Sequence, residues 1–410
     1  MKNINPVRIF LLSSVMALTI IYAGLWVSTL SDPGLRTGSD YMAFYAAGRI
    51  AQSAGYEKIY DLSLQQTVEE ETLGFEIPPD DVNPFVHPPF IVPLLALLSN
   101  LGYAVSFHLW ALFLVIIHAA SAYVFLLYFP DLSSGDKFWL FAGIMLFYPF
   151  FVSIINGQDS AILLLGTAVW ILGFIKNDER LAGLGLAFTV IRPHIAILLA
   201  APFLFKRQGI WWWFCAGAGI LVVVSLALIG GDGVNTYLGT LAVSAGGEGY
   251  KINEAAMVNL LGLLRRTFPS MLPQTARIIS WGLYFTAIAG MAVFTMASRE
   301  IRETHLGLAI LAAILATPHL HYHDVVLFLP AIFIVLRALR VGNPSIVKNM
   351  KIIVFALGWL LISSSPIPFL KYFSVYALIA LLIFLYWQSG ALSFPVFAWN
   401  EKTRSENTHD

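Results

Sequence analysis

The sequence predicts an all-α integral membrane protein with about twelve transmembrane helices. Three observations predict it. Of 410 residues, 58% are hydrophobic and only 12% charged, against about 25% charged in soluble domains. Apolar runs of roughly 18 residues or more recur along the chain, the length a bilayer core demands. Lys and Arg gather at alternate ends of those runs, which orients them. The formal net charge is zero, so net charge points to neither a nucleic-acid partner nor a polybasic membrane anchor. The lone Cys215 follows Trp211-Trp212-Trp213-Phe214 in an apolar run. It has no partner for an internal disulfide and reads as a packed thiol rather than a reactive one.

The first run, 8–30, is too long for the apolar region of a signal peptide and lacks an obvious small-residue cleavage site after it, so it reads as a retained span. The following spans are expected at 104–129, 138–155, 159–175, 181–191, 193–205, 210–230, 274–297, 304–317, 321–338, 350–366 and 372–388. Arg8, Lys176, Arg180, Lys206, Arg207, Arg302, Arg337 and Lys351 flank ends that share one side, expected to be cytoplasmic. Both termini then lie in the cytoplasm, and 389–410 is a cytoplasmic tail. The large loops 31–103 and 231–273 lie on the other side. The first carries ten acidic residues against Arg36, Arg49 and Lys58. Within it, 86–101 is apolar enough to resemble a span. Pro88, Pro89 and Pro93 leave only about 13 helical residues, roughly 20 Å against a core of about 30 Å. It is therefore expected as an interfacial helix, with a true crossing as the alternative. The glycine-rich run at 245–249 reads as a plain connector. The whole chain, 1–410, is expected to be one integral membrane domain.

Three consecutive span pairs are unusual, and several of their spans have only 11 to 17 residues. Their tips are Asn156-Gly157-Gln158-Asp159, Arg192-Pro193-His194 and His319-Leu320-His321-Tyr322-His323-Asp324. A 14-residue helix rises about 21 Å, so such a tip stops within the hydrocarbon depth. Polar groups persist there only where they line a cavity or are buried in protein. All three tips share a side with Asp40, in the run Gly38-Ser39-Asp40-Tyr41-Met42-Ala43-Phe44-Tyr45. Asp40 has the form of a helix N-cap, a role compatible with general-base chemistry. Arg192 is a snorkelling side chain or a phosphate ligand; its place near the middle of its hairpin favours the second. The histidines and Asp324 are metal-ligand types, but their spacing matches no established ligand pattern, so no metal is expected. Hydrogen bonding or phosphate contact is the expected role. Gln158 is a tip-turn residue or a ligand. Tyr41, Phe44 and Tyr45 stack on a sugar ring or simply pack.

Together these residues resemble the glycosyltransferases of family 87, of the GT-C fold. The resemblance runs over residues 8–340. It is carried by Asp40 before Tyr41-Met42-Ala43-Phe44-Tyr45-Ala46-Ala47-Gly48, then Gly55-Tyr56-Glu57-Lys58-Ile59-Tyr60-Asp61, His87-Pro88-Pro89, Gly157-Gln158, Arg192-Pro193 and the tip after Pro318. His87 stands where the family usually has an aromatic residue, and the dense histidine cluster is a second departure; both leave the donor sugar and acceptor open. The resemblance implies a hexosyltransferase that moves a sugar, mannose in typical members, from a polyprenyl-phosphate donor to a lipid or glycan acceptor. It implies Asp40 as catalytic base, with Arg192, His194, His319, His321, His323, Gln158, His87 and Tyr41 as candidate donor-phosphate or substrate contacts. No cofactor and no nucleic acid are expected. The expected location is a bacterial inner membrane, with the site facing outside among membrane lipids. The competing reading is a secondary transporter of a small polar or amphiphilic solute. Against it, no repeated halves are visible.

Overall fold

The computed structural model describes residues 5–32, 39–246, 253–340 and 345–389, and every regular element among them is helical. Of the run 245–249, residues 247–249 fall outside these residues, as does the tail after Ser389. Helix α1 (Pro6–Ser31) starts on Asn5, whose side chain accepts the Val7 N–H, with Pro6 in the first turn. Three short helices follow: α2 (Tyr41–Ser53), α3 (Leu62–Leu73) and α4 (Val92–Ser99). Asp61 caps α3 by accepting the Ser63 and Leu64 N–H groups. Its hydrogen bond from the Ser63 hydroxyl, 2.6 Å, holds its carboxyl below the usual carboxylate range. With the preceding turn Pro89–Ile91, α4 rises only about 16 Å. That is too short to cross a bilayer core, and the helix lies along α2 instead.

Next come α5 (Tyr103–Leu126), α6 (Ser134–Met145) and α7 (Tyr148–Asn156); α6 and α7 form one apolar unit bent by 43°. Two short hairpin arms, α8 (Ser160–Ile175) and α9 (Glu179–Phe188), lead to α10 (Pro193–Ala200). Helix α11 (Gln208–Gly246) is bent at Gly230, whose φ of 62° and ψ of −172° are backbone values only glycine adopts readily. The span expected to end at 230 therefore continues as helix into the expected second loop. Its far half packs on the first connection: the Thr240 hydroxyl donates to the Tyr60 carbonyl at 3.1 Å, and the Tyr237 and Tyr60 rings lie 4.5 Å apart. The remainder comprises α12 (Leu260–Thr267), α13 (Pro273–Ala297), α14 (Glu303–Ala316), a 3₁₀ segment Tyr322–Leu327 running into α15 (Phe328–Arg340), α16 (Ser345–Ser364) and α17 (Pro368–Gln388).

Among the described residues six helical segments are long and apolar enough to cross a membrane, or seven with the bent α6–α7 unit. Their outer faces stay apolar: Ile220 and Val223 on α11, Phe285 on α13 and Phe373 on α17 are exposed. Apolar surface of this extent needs lipid as its solvent. The protein is an integral membrane protein. At its centre α8 and α15 are almost wholly buried. Ion pairs tie the bases of the short hairpins together: Arg207 meets Glu179 at 3.0 Å and Arg337 meets Glu303 at 2.8 Å. These bases sit at one end of the bundle. A 16-residue α8 rises about 24 Å, which carries its polar start to a level near the opposite end.

Candidate active site

Three tips meet there, each set by local chain chemistry. Helix α7 ends at Gly157, in the left-handed region with φ 70°, and a Cβ there would lie 2.5 Å from Tyr41 Cβ. Only glycine can turn so close to α2. The turn is pinned further by the Trp110 indole N–H, which donates to the Gly157 carbonyl at 2.7 Å, and by Ser153, whose hydroxyl donates to the Gln158 carbonyl at 2.8 Å. Between α9 and α10 a 3₁₀ turn, Thr189–Ile191, places Arg192 immediately before Pro193, which starts the next helix. The third tip is held by Asn259, whose amide donates to the Thr317 carbonyl at 2.7 Å, and by the Val258 N–H on the Leu320 carbonyl at 2.9 Å.

The side chains form one connected polar cluster. Gln158 Nε2 donates to Asp40 Oδ2 at 2.7 Å, and Gln158 Oε1 accepts from Arg192 Nη2 at 2.8 Å. Arg192 Nη2 also lies 2.9 Å from Asp159 Oδ1, and Asp159 Oδ2 lies 2.9 Å from His87 Nδ1. Neither of these two contacts is aligned as a hydrogen bond; the first is an ion pair and the second a close polar contact. On the other side, Arg192 Nε is 3.9 Å from Asp324 Oδ1, which accepts the Ser160 hydroxyl at 2.9 Å. His323 Nε2 stands 3.4 Å from Asp324 Oδ2. Arg192 is 7% exposed, Asp159 0% and Asp324 2%. With the histidines neutral, three carboxylates (Asp40, Asp159, Asp324) surround one guanidinium.

Asp40 stands in the N-cap position of α2 yet makes no capping hydrogen bond. Its carboxylate turns to Gln158 instead, and Oδ1 has no hydrogen bond to a described residue. The capping role that its position suggests is therefore not taken. Asp40 lines a cavity of about 270 Å³ together with Phe44, Gln158, His321, Tyr322, His323 and Lys371. A second cavity of about 300 Å³ adjoins it, lined mainly by apolar side chains such as Tyr237, Leu241, Met257, Leu261 and Trp281. Val86, His87, Arg192, Ser244 and His319 line both.

Asp40, His87, Gln158, Arg192, His319, His321 and His323 thus surround the polar chamber together. His194 lines the apolar one, with Nε2 2.9 Å from the His319 carbonyl oxygen. Tyr41, expected as a substrate contact, reaches neither. It is fully buried behind the site, its hydroxyl 2.5 Å from Ser106 Oγ and its ring against Phe107 and Trp110. The helical rotation of about 100° per residue explains this: α2 presents Ala43 and Phe44 to the chamber and Tyr41 to α5. Sequence reasoning reaches Asp159 only as part of a tip and Asp324 only as a candidate ligand, yet both are buried counter-charges of Arg192. The available signal was an ionisable residue inside an apolar segment. Among the described residues no group of three or more His, Cys, Asp or Glu side chains is arranged to hold a metal ion.

Residues 85–330, more than half of the 410, match the family model for glycosyltransferase family 87. The chain belongs to glycosyltransferase family 87. No curated protein matches it. The matched part of this family 87 glycosyltransferase holds His87, Gln158, Asp159, Arg192, His194 and the whole third tip. Asp40 and Lys371 fall outside it and reach the same chamber by folding. A glycosyltransferase uses a sugar donor and an acceptor.

Proposed function

We propose that this family 87 enzyme transfers a sugar, mannose by family resemblance, from a polyprenyl-phosphate donor to an acceptor hydroxyl with inversion. One observation carries the reading: a polar chamber and an apolar chamber share a wall bearing Arg192, His87 and His319. A lipid-phosphate sugar has the same division, an apolar tail, an anionic junction and a polar head. The tail suits the Tyr237–Trp281 chamber and the sugar suits the chamber of Asp40. Twelve crossings in a GT-C arrangement, with the cavity opening to the outer leaflet of a bacterial inner membrane, suit that substrate. A carrier that moves solute across the bilayer needs its site near the midplane, and here the polar tips lie toward one end.

In the reaction, Asp40 Oδ1 accepts the proton of the acceptor hydroxyl as that oxygen bonds to the anomeric carbon. The bond from that carbon to the phosphate oxygen breaks on the opposite face, and the polyprenyl phosphate leaves with the electron pair. Gln158 holds Asp40 by its other oxygen. It can do so only with its NH₂ toward Asp40, because its carbonyl is occupied by Arg192. Arg192 therefore fixes the orientation of the amide, and the amide fixes the orientation of the base. Arg192 and the histidines of the shared wall stabilise charge that develops on the leaving phosphate. A positioned general base contributes about 10²–10⁴ in rate. Asp40→Asn should accordingly lose about 10²–10⁴ in kcat with donor affinity retained. The assay is label transfer from polyprenyl-phosphate mannose in membranes holding wild type or variant. Wild-type transfer by the Asn variant would remove Asp40 as the base.

A further inference from the structure

We propose that Lys371, at the start of α17, is the anion-binding residue of the polar chamber and takes a substrate phosphate. This rests on the reading of the chamber as a substrate site. Arg192 is poorly placed to serve as the sole phosphate ligand, since it already faces Asp159 at 2.9 Å and Asp324 at 3.9 Å. Part of its charge is already offset by these two carboxylates, so a phosphate beside Arg192 calls for a second cation. Lys371 differs. It lines the chamber, and no carboxylate lies within ion-pair distance of it among the described residues. Its ammonium sits 4.5 Å from the ring centre of Tyr322, a residue only 5% exposed, so it faces the third tip.

A second observation is independent of the first. Arg266 lies 3.6 Å above the ring of Tyr372, and the Lys371 ammonium is 5.7 Å from that same ring. Arg266 spends its donors on the Ala255 and Met257 carbonyls and the Tyr376 hydroxyl, and it too lacks a carboxylate partner among the described residues. Two cations held around one ring, partly withdrawn from water, repel each other unless an anion lies between them or beside them. The polar chamber is the open space beside Lys371. A lysine near a helix end often snorkels to the membrane surface. Here the contact with the buried Tyr322 ring turns it inward.

The ligand is a lipid phosphate, supplied by the donor or by an anionic acceptor. The test measures binding of farnesyl phosphate, of dihexanoyl phosphatidylglycerol and of uncharged farnesol to the full-length protein in nanodiscs. Wild type, Lys371→Met and Lys371→Arg are compared. A charge-assisted hydrogen bond corresponds to about 10- to 100-fold in affinity. The Met variant should lose that much for one phosphate probe, the Arg variant should recover most of it, and farnesol should bind all three alike. Loss for farnesyl phosphate assigns Lys371 to the donor; loss for the phospholipid assigns it to the acceptor. Unchanged affinity for both phosphates, in a Met variant that still binds farnesol, overturns the proposal. Binding is read without turnover, so absence of sugar transfer by the wild type would sink the proposed reaction and leave this result standing.

Discussion

Gln158→Leu is the most direct probe of how the base is held. Leucine keeps nearly the same volume and removes both the donor to Asp40 at 2.7 Å and the acceptor for Arg192 at 2.8 Å. A hydrogen bond to a charged group contributes about 1.5–3 kcal/mol. If the Asp40 bond orients the base in the transition state, its loss costs that much in activation free energy, about 10- to 100-fold in kcat. The donor should bind nearly as before, because Arg192 keeps Asp159 and Asp324. Folding should weaken by about 1–3 kcal/mol, because the buried Arg192 loses the acceptor of its Nη2 bond, so the rate is read on folded protein. The assay is initial transfer rate against donor concentration, with thermal unfolding followed on the same sample. A variant with wild-type kcat refutes the relay from Arg192 through Gln158 to Asp40. So does a loss confined to KM, since that would make Gln158 a substrate ligand.

Three further outcomes follow from the same geometry. Asp159→Asn leaves Arg192 with one fewer buried counter-charge, and breaking such a pair costs about 3–5 kcal/mol. The expected result is a large fall in melting temperature, and an unshifted transition would show that Asp159 is not a structural counter-charge. Tyr41→Phe removes only the contact with Ser106, so stability should drop by about 0.5–1.5 kcal/mol with turnover within about twofold of wild type; a selective loss of activity would return Tyr41 to the substrate site. Gly157→Ala places a methyl group 2.5 Å from Tyr41 Cβ on a backbone with φ 70°. It should displace the tip and abolish transfer, a loss that Ala substitution at Gly282, which has open space around it, should not reproduce.

The short hairpins were legible because their reason is local. Lipid selects apolar runs, run length fixes rise, and a 13- or 14-residue arm cannot lift its tip out of the hydrocarbon. The polar tips at 156–159, 192–194 and 319–324 were therefore bound for a shared interior, and they line adjoining cavities. The helical continuation beyond Gly230 was not legible, since a glycine pair with Asp232 reads as the end of a span. The helix packs on Tyr60 and on the turn Pro89–Ile91, contacts between segments distant in the chain.

The sequence by itself determined that this is a helical membrane protein and which short segments carry polar tips. It also held the residues that mark it as a family 87 glycosyltransferase. Tertiary structure decided which polar groups touch. Asp40 and Gln158 are 118 residues apart and Asp40 belongs to a different segment from every tip; Ser160 and Asp324 are 164 apart. Which of Tyr41 and Phe44 faces the chamber depends on the rotation of α2, and that is fixed by α5 and the Gly157 turn. The physical reason is that hydropathy is a property each segment carries alone, whereas hydrogen bonds and ion pairs act over about 3–4 Å and exist only once distant segments have been packed side by side.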